Sequence, residues 1–215
     1  MPEAILDARP GRPRPNARLD RRRAELIEAT IGSIADVGFQ ATTVAAIAGR
    51  AGVSVGLVAF YFGDKDGVLE ATLRHLAGQL RDVSVARLAA ARTPRDRIAA
   101  VIDSALGDAQ FERRIATVWL AFWGQVPATP RFRRVQRAYE RRMLSTLTHA
   151  FAALVSRPEA LRLARATAAL IDGLWLRATL SSDPPDAAEA RSIVQGFVDT
   201  QIALLDLALL KRTSP

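Results

Sequence analysis

Residues 42–65 read TTVAAIAGRAGVSVGLVAFYFGDK, and this stretch decides the fold. Val44, Ile47, Ala48 and Ala51 recur at helical spacing and give a first short helix one apolar face. Thr43 stands where an N-cap offers its side-chain oxygen to an orphan backbone N–H. Gly52 supplies the permissive backbone of a helix end. Ser54 caps a second helix expected over about 55–61, and Asp64 caps a third, longer one. Two short helices set at an angle by a glycine-containing turn predict a helix-turn-helix, whose second helix lies in the DNA major groove.

The pattern T-T-V-x-x-I-A-x-x-A-G-V-S-x-G-x-x-x-x-Y-F-x-x-K within this stretch resembles the DNA-binding domain of the TetR family of transcriptional repressors. The resemblance implies an all-α chain of about nine helices. An N-terminal three-helix bundle would carry the helix-turn-helix, and an antiparallel helical domain would bind ligand and dimerise. By their places in the motif, Thr43, Ser54, Tyr61 and Lys65 are expected to position phosphates, and Thr42 joins this DNA-facing set. Val55, Gly56, Leu57 and Phe60 would face the bases. Many relatives carry polar residues at 55, 57 and 60, so bidentate base readout is scarce here. Apolar contact to thymine methyls, close approach at Gly56 and DNA shape are expected to replace it.

The 215 residues are 49% hydrophobic and 24% charged, an ordinary globular balance with room for one large or two small domains. The chain has no cysteine, which excludes disulfides and thiolate metal sites. Its two histidines, His75 and His149, lie far apart and read as helix-surface or boundary residues. There is no Gly-rich phosphate loop, nucleophile elbow or HExxH motif, so catalysis is excluded and no catalytic residue, cofactor or metal is expected. No apolar run reaches the roughly 18–20 residues of a membrane span. The N-terminus lacks the apolar core of a signal peptide, and a cytoplasmic protein is expected. Net charge is +8, yet residues 1–66 hold nine basic and eight acidic side chains. Bulk charge therefore supports a DNA partner only weakly, and the motif carries that inference.

Three regions are expected: an Arg/Pro-rich arm over 1–19, the DNA-binding domain over 20–66, and a ligand-binding and dimerisation domain over 67–215. In the arm, Arg12 and Arg14 lie among prolines that keep the strand extended, a pattern similar to a relaxed AT-hook. They would enter a narrow A·T minor groove, or the arm is a solubilising tail with diffuse phosphate attraction. Helix one is expected from about Asp20 to Val37, ended by Gly38, with Arg21, Arg22 and Arg23 opposing the macrodipole at its start. Six further helices follow, over about 65–92, 94–107, 109–125, 130–155, 158–181 and 186–210, with no strand alternation. The last two are widely apolar, through Leu161, Ala164, Ala168, Ile171, Trp175 and Ala178 on one and Ile193, Phe197, Ile202, Leu205 and Leu209 on the other. In the family such helices pair as a four-helix homodimer interface.

Aromatic residues are few, yet Trp119, Phe122 and Trp123 recur at i, i+3 and i+4, with Tyr139 on the next helix. Trp175 follows Asp172 by three residues. Aromatic faces beside a carboxylate are the composition of a quaternary-ammonium cage. Residues 117–123, 141–144 and 169–177 are similar to the C-terminal domain of the choline-responsive BetI-type repressors of glycine betaine synthesis. That resemblance implies a palindromic operator controlling betaine-synthesis or choline-uptake genes, released when choline binds. Plain core packing, a pocket for a different apolar ligand, and an ion pair of Asp172 with Arg137, Arg141 or Arg177 are the competing readings of these residues. A ligand-independent architectural DNA-binding protein is the competing reading of the whole chain.

Overall fold

The computed structural model describes residues 15–213. Among them it contains ten helical segments and no strand. The first four hold the predicted motif. α1 spans Pro15–Ala41, α2 Val44–Ala51, α3 Val55–Phe62 and α4 Lys65–Ala90. The caps fall where the sequence places them. Thr43 Oγ1 accepts from Ala46 N–H, Ser54 Oγ from Leu57 N–H, and Asp64 Oδ1 from Gly67 N–H. Gly52 closes α2 in the left-handed region at φ 64° and ψ 38°, its N–H bonded to the carbonyls of Ala48 and Gly49. α2 and α3 meet at a bend of 108°, within the range of a helix-turn-helix.

α1 begins earlier than expected. Pro15 opens the helix, because its fixed φ suits a first turn and the N–H it lacks would have no partner there. Arg21, Arg22 and Arg23 therefore sit past the first turn rather than at the N-terminus. Arg21 and Arg22 pair with Glu25, and Arg23 lies 4.8 Å from the Phe62 ring centroid. They therefore do not oppose the macrodipole at the helix start. Arg12 and Arg14 lie outside the described residues.

The remaining helices are α5 (Pro94–Ala105), α6 (Asp108–Phe111), α7 (Arg113–Trp123), α8 (Pro130–Ala152), α9 (Arg157–Leu180) and α10 (Ala187–Thr213). Thr93 and Asp96 form a reciprocal capping box around Pro94. The single helix expected over 109–125 is two, broken where Glu112 takes ψ 123°. The break leaves the Gln110 carbonyl free to accept the Trp175 indole N–H at 3.0 Å, a tertiary bond that replaces a helical one.

Two apolar clusters share α1. Leu26 and Ala29 pack with Ile47, Ala48, Val58 and Val68 beneath the helix-turn-helix. Ile27, Ile31 and Ile34, on another face, join the larger core made by α4 to α10. α1 is thus buried on two sides. The stripe expected to face a partner from α9 largely serves this larger core: Ala164, Ala168, Ile171 and Trp175 are buried within the protomer. Of the expected stripes, Leu161 on α9 and Ile193 on α10 remain exposed, joined by Leu180, Leu204 and Leu207.

Gly38 joins these clusters. Its φ of 82° and ψ of 169° fall in a region open essentially to glycine. The turn it makes carries Phe39 out of the helix line and into a ring cluster with Phe122 and Phe132, at centroid distances of 5.6 and 6.1 Å. Gly38→Ala is expected to lower stability by about 1–3 kcal/mol, although no neighbour lies within 4 Å of the added methyl group. A urea midpoint equal to that of the wild type would show that the backbone turn is dispensable.

Candidate functional site

Two surfaces of different chemistry stand out. The first is α3 with the N-terminus of α2. Phe60 is 75% exposed and Val55 50%, large apolar side chains left uncovered on a short helix beside exposed Gly56. Leu57 is half-buried, and Val58, one residue on, faces the small core. Thr43 and Ser54 are exposed caps, and Tyr61 is half-buried against the Phe60 ring at 5.3 Å. Lys65 reaches the Gln40 carbonyl at 3.4 Å and lies 6.0 Å from the Phe39 ring, so it stands at the edge of this face with its ammonium partly held.

Thr42 does not belong to the face. It is fully buried, its hydroxyl donates to the Gly38 carbonyl at 2.8 Å and lies 3.2 Å from Ser33 Oγ. Its side chain ties the α1–α2 turn together and has no polar capacity to spare for DNA.

The second surface is internal. Trp119, Trp123, Tyr139, Asp172 and Trp175 converge on one cavity, completed by Leu80, Ala105, Gln110 and Ile171. Trp123 and Trp175 pack at 4.8 Å between centroids with planes tilted by 60°. Phe122 is the exception to the predicted set. At 3.6 residues per turn, Trp119 and Trp123 project about 40° apart, whereas Phe122 lies about 100° from Trp123. It faces away, fully buried against Phe39 and Phe132. α7 therefore presents tryptophans to the cavity on one side and a phenylalanine to the end of α1 on the other.

Among the described residues Asp172 is the only carboxylate lining the cavity. Among the described residues no basic side chain pairs with it. Arg141, one of the candidate partners, donates instead to the Arg137 carbonyl. Burial, with a smaller contribution from the Glu140 charge, raises the Asp172 pKa from 3.8 to about 6. Burial likewise raises the Tyr139 phenol, followed by the charges of Asp172 and Glu140. An unpaired, desolvated carboxylate walled by rings is costly unless a cation joins it. The cavity is about 30 Å³, room for about one water. Gln110 gave no signal in the sequence, because its role rests on a carbonyl freed by the helix break at Glu112. Phe39 was signalled only by its position directly after the helix-ending glycine.

Comparison with known proteins adds a second line of evidence. Residues 26–72 match the family described as bacterial regulatory proteins, tetR family. Residues 94–203 match the BetI-type transcriptional repressor C-terminal domain. The HTH-type transcriptional regulator BetI of Burkholderia mallei is 44% identical over 186 residues, covering 85% of this chain and 94% of that protein. A transcriptional regulator of Pseudomonas aeruginosa PAO1 superposes with a TM-score of 0.77 at 27% identity, over 86% of this chain and 92% of that one. A transcriptional regulator from Saccharomonospora viridis, solved in complex with choline, superposes with a TM-score of 0.74 at 22% identity, over 84% and 96%.

The raised carboxyl has a thermodynamic consequence for the empty protein. Its folded pKa of about 6 exceeds the unfolded value of 3.8, so folding favours the protonated form. The resulting penalty is absent below pH 3.8, grows through pH 6 and is complete above it. Asp172→Asn is expected to stabilise the ligand-free protein by about 1–3 kcal/mol at pH 7.5 and by nothing near pH 3.5. Denaturant midpoints at the two pH values check this, and a variant destabilised at pH 7.5 would mean that the carboxylate has a structural partner.

Proposed function

Because this chain belongs to the TetR family and carries a BetI-type C-terminal domain, and is therefore a DNA-binding transcriptional repressor rather than an enzyme, we propose that its effector is choline or a closely related quaternary ammonium. The genes it controls would then serve glycine betaine synthesis or choline uptake. The observation that carries this reading is Asp172, a partly buried carboxylate with no basic partner among the described residues, lining one cavity with Trp119, Trp123, Tyr139 and Trp175. A trimethylammonium group supplies the missing charge without needing hydrogen-bond acceptors. Each ring face contributes roughly 0.5–2 kcal/mol to a desolvated cation. The choline complex of the Saccharomonospora viridis regulator supports the same ligand class on the same fold.

On the DNA side, α3 lies in the major groove with Val55, Gly56, Leu57 and Phe60 toward the bases. Thr43, Ser54, Tyr61 and Lys65 hold phosphates. Family members dimerise, and here the uncovered Leu161, Leu180, Ile193, Leu204 and Leu207 of α9 and α10 form the partner face. Two α3 helices then meet half-sites about 34–36 Å apart on a palindromic operator in the cytoplasm.

The cavity as it stands is too small for choline, so the ligand binds a conformer in which Trp123 and Trp175 part. Trp123 cannot move with α7 unless Phe122 moves with it. Phe122 abuts Phe39 at the end of α1, and α1 carries the small core of the helix-turn-helix. Cage opening thereby alters the placement of α3 and the half-site spacing. Linkage requires operator DNA to weaken choline by the same factor.

Choline titrated into the protein is expected to shift tryptophan emission saturably, since all three tryptophans wall the cage, while a neutral alcohol of similar size and glycine betaine do not. Choline affinity should be nearly flat above pH 7 and fall about tenfold between pH 7 and pH 5, as Asp172 takes a proton at about 6. Asp172→Asn should lose at least tenfold in choline affinity and keep its operator affinity. No emission change at millimolar choline would overturn the quaternary-ammonium assignment.

A further inference from the structure

A larger cavity lies beside the cage and is chemically its opposite. It is a groove of about 350 Å³ between α4, α5 and α8. Leu80, Val101, Ala105, Val135 and Met143 give it an apolar floor. Four arginines line it, Arg74 and Arg81 from α4 and Arg134 and Arg142 from α8, and no carboxylate does. Arg74 is held by Glu70 and Arg81 by Asp82, each at 2.7 Å. Arg134 and Arg142 have no acidic partner among the described residues. They are eight positions apart on one helix, about 80° around it and about 12 Å along it, and both line the groove.

Gly78, in the middle of α4, keeps the floor open. A methyl group at this position would meet nothing within 4 Å. Glycine inside a helix costs about 1 kcal/mol relative to alanine, and here it leaves the groove floor without a side chain. Leu80, Ala105 and Tyr139 line both cavities and form the wall between them, whereas Asp172 lines only the cage. The volume falls within the usual range of small-molecule pockets, about 300–1,000 Å³.

We propose that this groove is a second binding site, for an organic carboxylate with an apolar body. An Arg134 or Arg142 guanidinium group would take the carboxylate, for which its planar donor fork is matched. The hydrocarbon would lie over Gly78 and the apolar floor. A quaternary ammonium is repelled by the same arginines, so the two cavities sort ligands by charge. The site stands independently of the choline assignment, and either can fail alone.

Octanoate is the probe, titrated calorimetrically into the intact protein, with 1-octanol as the uncharged control. Octanoate is expected to saturate one site per protomer and to bind at least tenfold more tightly than octanol. Arg134→Gln with Arg142→Gln should remove that tenfold preference. Gly78→Leu, which fills the floor and favours the helix, should abolish binding while leaving the helical circular dichroism and the choline response intact. Octanoate and octanol binding alike, no saturable octanoate binding at tens of millimolar, or unchanged octanoate affinity in Gly78→Leu would each overturn the proposal.

Discussion

The contact of Phe39 with Phe122 and Phe132 is the constraint on which the rest of the molecule depends. The three rings pack edge to face, with centroids 5.4–6.1 Å apart. They come from α1, α7 and α8, so one residue of the DNA-reading half is held by two helices of the ligand-binding half. Edge-to-face pairs contribute about 0.5–1.5 kcal/mol each beyond burial. Their larger effect here is geometric. A close-packed ring cluster does not deform continuously, so α7 cannot shift without α1 either following or repacking. Gly38 makes the contact possible, because no other residue type turns the chain this way without strain. The ion pairs that bridge the same boundary, Arg114 with Glu28 at 3.4 Å and Arg131 with Asp64 at 3.5 Å, are exposed and contribute little.

Electrostatics divides the interior rather than stabilising it. The cage holds a carboxylate without a counter-charge among the described residues, and the groove next to it is lined by exposed arginines, of which Arg134 and Arg142 have no acidic partner there. Tyr139 stands between them, and its burial keeps the phenol neutral. Direct pairing of Asp172 with a neighbouring arginine would remove the penalty on the carboxyl, yet Arg141 is turned to a backbone carbonyl instead. A protein optimised only for stability would have joined the two charges or buried neither. The separation fits the two binding sites proposed above.

What the sequence disclosed follows from the range of the forces involved. Caps act within one helical turn, so Thr43, Ser54, Asp64 and the Thr93-Pro94 pair marked their helix ends correctly. The ring-and-carboxylate composition of the cage was legible because Trp119 and Trp123 repeat at helical spacing and Asp172 precedes Trp175 by three. The direction of Phe122 was not. Spacing of i+3 and i+4 groups residues on a broad face, and only the neighbours of α7 divide that face into a cavity side and a junction side. Thr42 illustrates the same limit, since a threonine flanking a cap reads as exposed until Ser33 and the Gly38 carbonyl enclose it. The break at Glu112 was invisible for a related reason, being compensated by an indole 65 residues away.

The apolar recognition helix links operator reading to regulation. α3 carries no charged side chain, and its only polar group is the Tyr61 hydroxyl. Bidentate side-chain pairs, each contributing about 1–3 kcal/mol of discrimination, are therefore missing from its repertoire. Methyl contacts and DNA deformability discriminate more gently. Affinity for the operator must then rest on phosphate contacts and on both halves of the dimer docking together, which depends on spacing more than on any base contact. A readout of this kind is sensitive to small changes in half-site separation, because no strong local contact holds α3 in place when the geometry is wrong. Under the proposed cage opening, weak base recognition and a rigid ring junction would work in the same direction, making the position of α7 the variable that decides whether the protein stays on DNA.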